Sequence, residues 1–257
     1  MAITYLSGQR IQGVSAISGS AGWTQTGTSV TIQNDVGGGT AVDLTTDDRI
    51  SKSFSALTDT KWVCDFDVKI SSIASARGFI PLSINDGTGD LLAGDVIAVE
   101  AWDQSGSTKL RVKSIVGSSS DQTGGMSTAL TDGTQYYCRL IRSTATATEL
   151  SIYTSSARTG TPHGTSTISN LSSSVGGLDT VGSGSDQFGN SGETASYEIN
   201  NIKIYDDKTT PSGTPEFQSN FAGTPSDKST VTNVPNGSQF EETDTRKFYQ
   251  FKKGGAL

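Results

Sequence analysis

The residues in this chain that could do chemistry are few, and most of them are carboxylates. Asp65 and Asp67 lie two apart in KWVCDFDV, on one face of an alternating stretch. Retaining glycoside hydrolysis needs two carboxyl groups about 5–5.5 Å apart across the sugar, but no Glu accompanies this pair. Glu100 and Asp103 flank Trp102 in EAWDQ, and their odd spacing sends them to opposite faces of a strand. Asn85, Asp86 and Asp90 in NDGTGD offer the hard oxygens that Ca²⁺ takes, and Asx-turns account for the same residues without a metal. His163 is the only histidine. Nothing in TPHGTS supplies it with a nucleophile elbow or an orienting carboxylate, so no Ser–His–Asp arrangement is expected. The glycine runs at 37–39 and 124–125 contain no G-x-G-x-x-G, which argues against a nucleotide-binding turn. Trp102 with Asp103 fits a sugar platform best, as an aromatic face beside a polar group near a strand end, with core packing as its competing role. Trp23 and Trp62 fall on core-facing positions.

These side chains sit on segments of period two. KWVCDFDVKI, DVIAVEAWDQ, YYCRLIR, TELSIYT and SYEINNIKIYDD all alternate apolar and polar residues, as strands buried on one face do. No segment sustains a 3.6-residue stripe. The expected fold is all-β, two packed antiparallel sheets whose outer faces are wet. DVIAVEAWDQ and TKLRVKSIV should form a hairpin about Gly106, and YYCRLIR should pair with TELSIYT. WTQTGTSVTIQ reads as two strands about Gly27. Residues 155–195 should hold short strands and long loops. Trp62, Cys64, Phe66, Tyr136, Cys138, Leu140, Ile202 and Ile204 are expected between the sheets. The two cysteines then behave as small core hydrophobes. A bridge between them would require neighbouring strands and an oxidising compartment.

Composition bounds the rest. Hydrophobic residues make up 33% and glycine supplies 30 positions, which suits many short strands joined by many turns. The net charge of −7 argues against nucleic acid as a partner. No apolar run is long enough for membrane insertion. MAITYLSGQRIQG has neither the charged start nor the apolar core of a signal peptide, so synthesis and folding in a cytoplasm are expected. Residues 1–20 read as an N-terminal arm, 21–207 as the sandwich, 208–219 as a Pro-containing linker and 220–257 as a terminal hairpin with a VPNG turn. An isolated hairpin is marginal in water. Phe240, Phe248, Tyr249 and Phe251, with Arg246, are therefore the expected assembly interface, against copies of this chain or another protein.

Taken in order, Trp23, RISKSFSALTDTKWVCDFDV, YYCRLIR with TELSIYT, and the closing NNIKIYDD resemble the concanavalin A-like, laminin-G-like jelly roll over residues 20–207. The tail VPNGSQFEETDTRKFYQF resembles a short segment of structural proteins of tailed viruses, and YLSGQRIQG is similar to the start of such proteins. The resemblance implies a virion component, a capsid decoration or tail fibre that is made in a host cytoplasm and displayed on the particle surface. Other capsid or tail proteins and copies of itself would be its partners, and surface glycans its ligand. The resemblance also allows a Ca²⁺ at the sandwich rim, for which Asn85, Asp86 and Asp90 are the available ligands, although no cofactor is expected. The hydrolase branch of the fold carries Glu-x-Asp-x-x-Glu on one strand, which is missing here, so the protein is expected not to be an enzyme. The competing reading is a carbohydrate-binding adhesin of a cell surface or matrix.

Overall fold

The computed structural model describes residues 3–5, 22–27, 30–33, 36–42, 48–73, 79–87, 91, 93–185, 194–219, 239–242 and 247–250. All regular structure among them is strand. One sheet has seven strands, in the order β10 (Ser119–Thr123), β9 (Thr108–Val116), β8 (Val96–Asp103), β7 (Phe79–Asn85), β14 (Thr180–Ser185), β5 (Arg49–Ser53) and β2 (Thr24–Thr26). The other has eight. It runs β13 (Gly164–Ile168), β12 (Ala147–Tyr153), β11 (Gln135–Thr144), β6 (Trp62–Ile73), β15 (Thr194–Asp206), β4 (Val36–Val42) and β3 (Val30–Gln33), with β16 (Phe217–Ser219) also on β15. Neighbouring strands are antiparallel throughout. Among the described strands the path crosses between the sheets seven times, at β2–β3, β4–β5, β5–β6, β6–β7, β10–β11, β13–β14 and β14–β15. This is a concanavalin A-like jelly-roll sandwich, as expected.

Both expected hairpins are present, β8–β9 and β11–β12. The two strands about Gly27 are present as well, but they belong to different sheets, since β2 pairs with β5 and β3 with β4. Gly27 has φ +73° and turns the chain across the sandwich. The glycine run at 37–39 lies in β4 beside Tyr197, Glu198 and Ile199 of β15. A Cβ on Gly38 would stand 2.9 Å from the Glu198 Cα, so the run serves close strand approach.

The inward residues of β6, Trp62, Cys64, Phe66, Val68 and Ile70, meet Phe79, Leu82, Ile84, Ile97, Val99 and Leu110 of the other sheet in one continuous core. The Phe79 and Tyr197 rings lie 4.4 Å apart between the two sheets. All eight expected core residues are buried. Cys64 and Cys138 are on neighbouring strands, yet both are free thiols. A second, smaller apolar cluster lies on the outer side of the seven-stranded sheet, where Leu91 packs with Ile80, Val96, Ala98 and Ile115.

The segment read as a linker ends in β16. Ile202, Lys203 and Ile204 pair with Ser219, Gln218 and Phe217, and the Phe217 ring packs 6.1 Å from Trp23 and 5.4 Å from Phe54. A separate three-stranded sheet joins the chain ends, in the order β1 (Ile3–Tyr5), β17 (Gln239–Glu242) and β18 (Lys247–Gln250).

Candidate functional site

Alternation along β6 turns Asp65 and Asp67 to the outer face of the eight-stranded sheet. They are not wet, as the sequence suggested, but only 8% and 5% exposed. Two arginines cover them. Arg139 stands opposite Asp65 across the β11–β6 ladder, and its Nε and Nη2 donate to the two Asp65 oxygens at 2.8 and 2.9 Å. This bidentate pairing holds the guanidinium pKa above its ordinary value. Arg158 arrives from the loop after β12 with φ +49°. Its Nη2 donates to Asp67, its Nε to the Cys138 carbonyl at 3.1 Å and its Nη1 to the Ser156 carbonyl at 3.2 Å. The same Nε lies 3.9 Å from Asp65.

The opposite flank of Asp67 is closed by a bulge in β15. Asn200 pairs with Asp67 and Lys203 with Asp65, so one extra residue is inserted on β15. Inward positions are odd-numbered up to Ile199 and even-numbered from Ile202. Asn201 adopts φ +52°, and its Nδ2 donates to Asp67 at 2.7 Å. Gln135 Nε2 donates to the same oxygen at 3.4 Å. Two non-glycine residues in the left-handed region thus converge on one carboxylate. Backbone strain of this kind clusters at functional sites.

Tyrosines surround this lattice. Tyr137 is the ladder partner of both Asp67 and Tyr153, and Tyr205 is the partner of Val63, the next outward residue before Asp65. All three are half-buried, and the Arg158 guanidinium carbon lies 5.7 Å from the centre of the Tyr137 ring. No described residue hydrogen-bonds their hydroxyls. Beside them runs a small open cleft bordered by Asp67, Lys69, Gln135, Glu198 and Asn200. Rigid rings with free hydroxyls, set on a fixed polar floor, can hold a ligand that is apolar on its faces and polar at its edges.

The sequence-derived candidates lie elsewhere. Trp102 is half-buried on the outer side of the seven-stranded sheet, with the Arg111 guanidinium 4.6 Å over its ring. Asp103 accepts the Gly106 and Ser107 amides at 2.7 and 3.1 Å and caps the β8–β9 turn. Asn85 Oδ1 accepts the Gly87 amide at 3.1 Å, and Asp86 Oδ2 accepts the Asp95 amide at 3.0 Å. Asp90 lies outside the described residues. Among those described, no three acidic, His or Cys side chains are placed to hold a metal ion. His163 meets the Ala129 carbonyl at 2.9 Å and the Tyr136 ring at 5.4 Å. Phe240 is in β17, opposite Tyr5 and Tyr249, and Phe248 is in β18. Arg246 and Phe251 lie outside the described residues.

Arg139, Arg158, Tyr137, Tyr153, Tyr205 and Asn201 were missed from sequence. The alternation that turns Asp65 outward also turns Arg139, Tyr137 and Tyr153 outward, and the paired Asn of EINNIKIY marks the bulge. A further surprise is inside the sandwich. Arg142 follows Tyr136, Cys138 and Leu140 on the inward face and is fully buried, with Nη2 donating to the Ala145 carbonyl at 2.9 Å. Burial lowers its pKa, and Asp59 and Asp95 partly oppose that.

No protein-family model matches the chain, and no curated protein does either. Solved structures similar to it include the enzymatically active domain of tailspike protein 2 of bacteriophage CBA120, 15% identical over 71% of this chain and 28% of that one, with TM-score 0.45. Alginate lyase A1-II′ is 11% identical over 70% of this chain and 83% of that one, with TM-score 0.47. The carbohydrate-binding module CBM66 of Bacillus subtilis is 10% identical over 71% and 94%, with TM-score 0.45. Against full-length tailspike protein 2, the chain spans 25% of its length. The likeness is one of fold. It also corrects the expectation that this chain is not an enzyme, because the similar structures include alginate lyases and an enzymatically active tailspike domain. The missing Glu-x-Asp-x-x-Glu speaks only to the chemistry of that carboxylate pair.

Proposed function

We propose that this protein is a carbohydrate-binding jelly roll of a virion surface, and that it binds glycan on the outer face of its eight-stranded sheet. One observation carries the reading: three half-buried tyrosines stand around an Arg–Asp lattice whose members are already bonded to one another. Such a floor needs no rearrangement on binding, so little ordering cost opposes a ligand. The chain ends, which resemble segments of tailed-virus proteins, would join the sandwich to the particle as decoration or fibre. The surface role is thus divided between a face that holds sugar and a terminal sheet that attaches.

Retention of the purified chain on immobilised polysaccharides tests the site. Tyr137→Ala and Tyr205→Ala should each weaken retention by about tenfold, the equivalent of about 1.4 kcal/mol, while Trp102→Ala leaves it unchanged. Loss of retention in Trp102→Ala, with both tyrosine variants unaffected, would move the site to the other sheet.

A further inference from the structure

We infer that the glycan taken by this face is neutral, an inference that rests on the carbohydrate-binding reading above. Four cations turn outward around the tyrosines, Arg139, Arg158, Lys69 and Lys203, and four anions accompany them, Asp65, Asp67, Glu149 and Glu198. Three of the four cations are engaged within the protein. Every guanidinium nitrogen of Arg158 donates to a protein oxygen, and Arg139 gives Nε and Nη2 to Asp65. Lys69 Nζ lies 3.4 Å from Glu198. Lys203 stands across the ladder from Asp65, and among the described residues its ammonium has no ion pair.

A uronate or sulfate group needs a guanidinium fork or an ammonium that is free to face it. Here it would meet guanidinium forks engaged by Asp65 and Asp67 and a single lysine, Lys203, that stands beside Asp65, and it would approach those carboxylates without a counter-charge. The chain as a whole carries −7, which repels a polyanion at long range. The other groups that remain free are of another kind: the Tyr137, Tyr153 and Tyr205 hydroxyls and the Asn200 amide nitrogen. These donate to and accept from sugar hydroxyls, while the tyrosine rings take the apolar faces of the pyranose.

The experiment uses the intact chain against neutral hexose polymers (dextran, mannan, galactan) and acidic ones (pectate, hyaluronan, heparin). Each is run at about 50 mM and about 500 mM NaCl, across which exposed charge pairs are screened. At least one neutral polymer should be retained, with less than about a twofold change between the two salts. Tyr153→Ala should reduce that retention by about tenfold, and Tyr153→Phe, which keeps the ring and loses the hydroxyl, by less. Unfolding curves of both variants confirm that the sandwich persists. Retention on acidic polymers alone, or retention abolished by salt, overturns the neutral-glycan inference and leaves a glycan site standing. Retention on no polymer at all overturns both.

Discussion

Asp67 is where two strained residues meet, and its surroundings explain why the pair with Asp65 is buried. A buried carboxylate survives only when its lone pairs are filled, and Arg158, Asn201 and Gln135 fill them. The cysteines on the same strands face the other way and behave oppositely. Burial raises the pKa of both thiols, and Arg158 opposes this only in part. Below about pH 8.5 folded and unfolded chains alike hold these protons, so the thiols add no pH dependence. Above it the unfolded chain releases them while the folded chain does not, so stability falls as pH rises. The slope should approach about 1.4 kcal/mol per pH unit for each thiol. Urea titrations between pH 7 and pH 10 measure it. Ellman's reagent should find no reactive thiol in the native chain at pH 8 and both after denaturation.

At the scale of the element, the bulge in β15 is the device that builds the site. Up to Ile199 the odd residues point inward, and after Asn200 and Asn201 the even ones do, so both asparagines remain outside. Deleting Asn201 would pair Asn200, Ile202 and Lys203 regularly with Asp67, Phe66 and Asp65 while keeping Ile202 and Ile204 in the core. The deletion removes about 1 kcal/mol of backbone strain and a hydrogen bond of about the same worth. The thermal midpoint should therefore move by only a few degrees, while polysaccharide retention is lost. A deletion variant that unfolds would show that the bulge is needed for folding. One that still binds would remove Asn201 from the site.

For the whole molecule, the described part of the sandwich extends to Ser219, because β16 pairs with the edge of β15 and Phe217 covers Trp23 and Phe54. A chain ending at Ser219 should unfold at nearly the same urea concentration as the full chain. One ending at Asp207 should lose about 3 kcal/mol, as expected for removal of a buried aromatic ring. The terminal sheet has a different role in the proposal. Since β1 pairs with β17, removing residues 2–20 should abolish oligomer or particle attachment as completely as removing 220–257. Light scattering and co-sedimentation with particles read this out. A chain lacking only one end that still attaches would separate the arm from the hairpin.

Periodicity by itself determines the architecture. Strand alternation is a local property, so KWVCDFDV, YYCRLIR and NNIKIYDD already specified which residues face the core, and the absence of a 3.6-residue stripe excluded helical layers. The same alternation turned Tyr137, Arg139 and Tyr153 outward, but nothing local marked them as partners. Residues 65, 139, 158 and 201 are far apart in the chain and meet only because β6 lies between β11 and β15 while the loop after β12 folds over them. Sequence alone therefore favoured the compact EAWDQ cluster, where neighbours in sequence are neighbours in space, and placed Asp65 and Asp67 in solvent. Burial of a charge depends on what long-range pairing brings over it, and only the tertiary structure decides that.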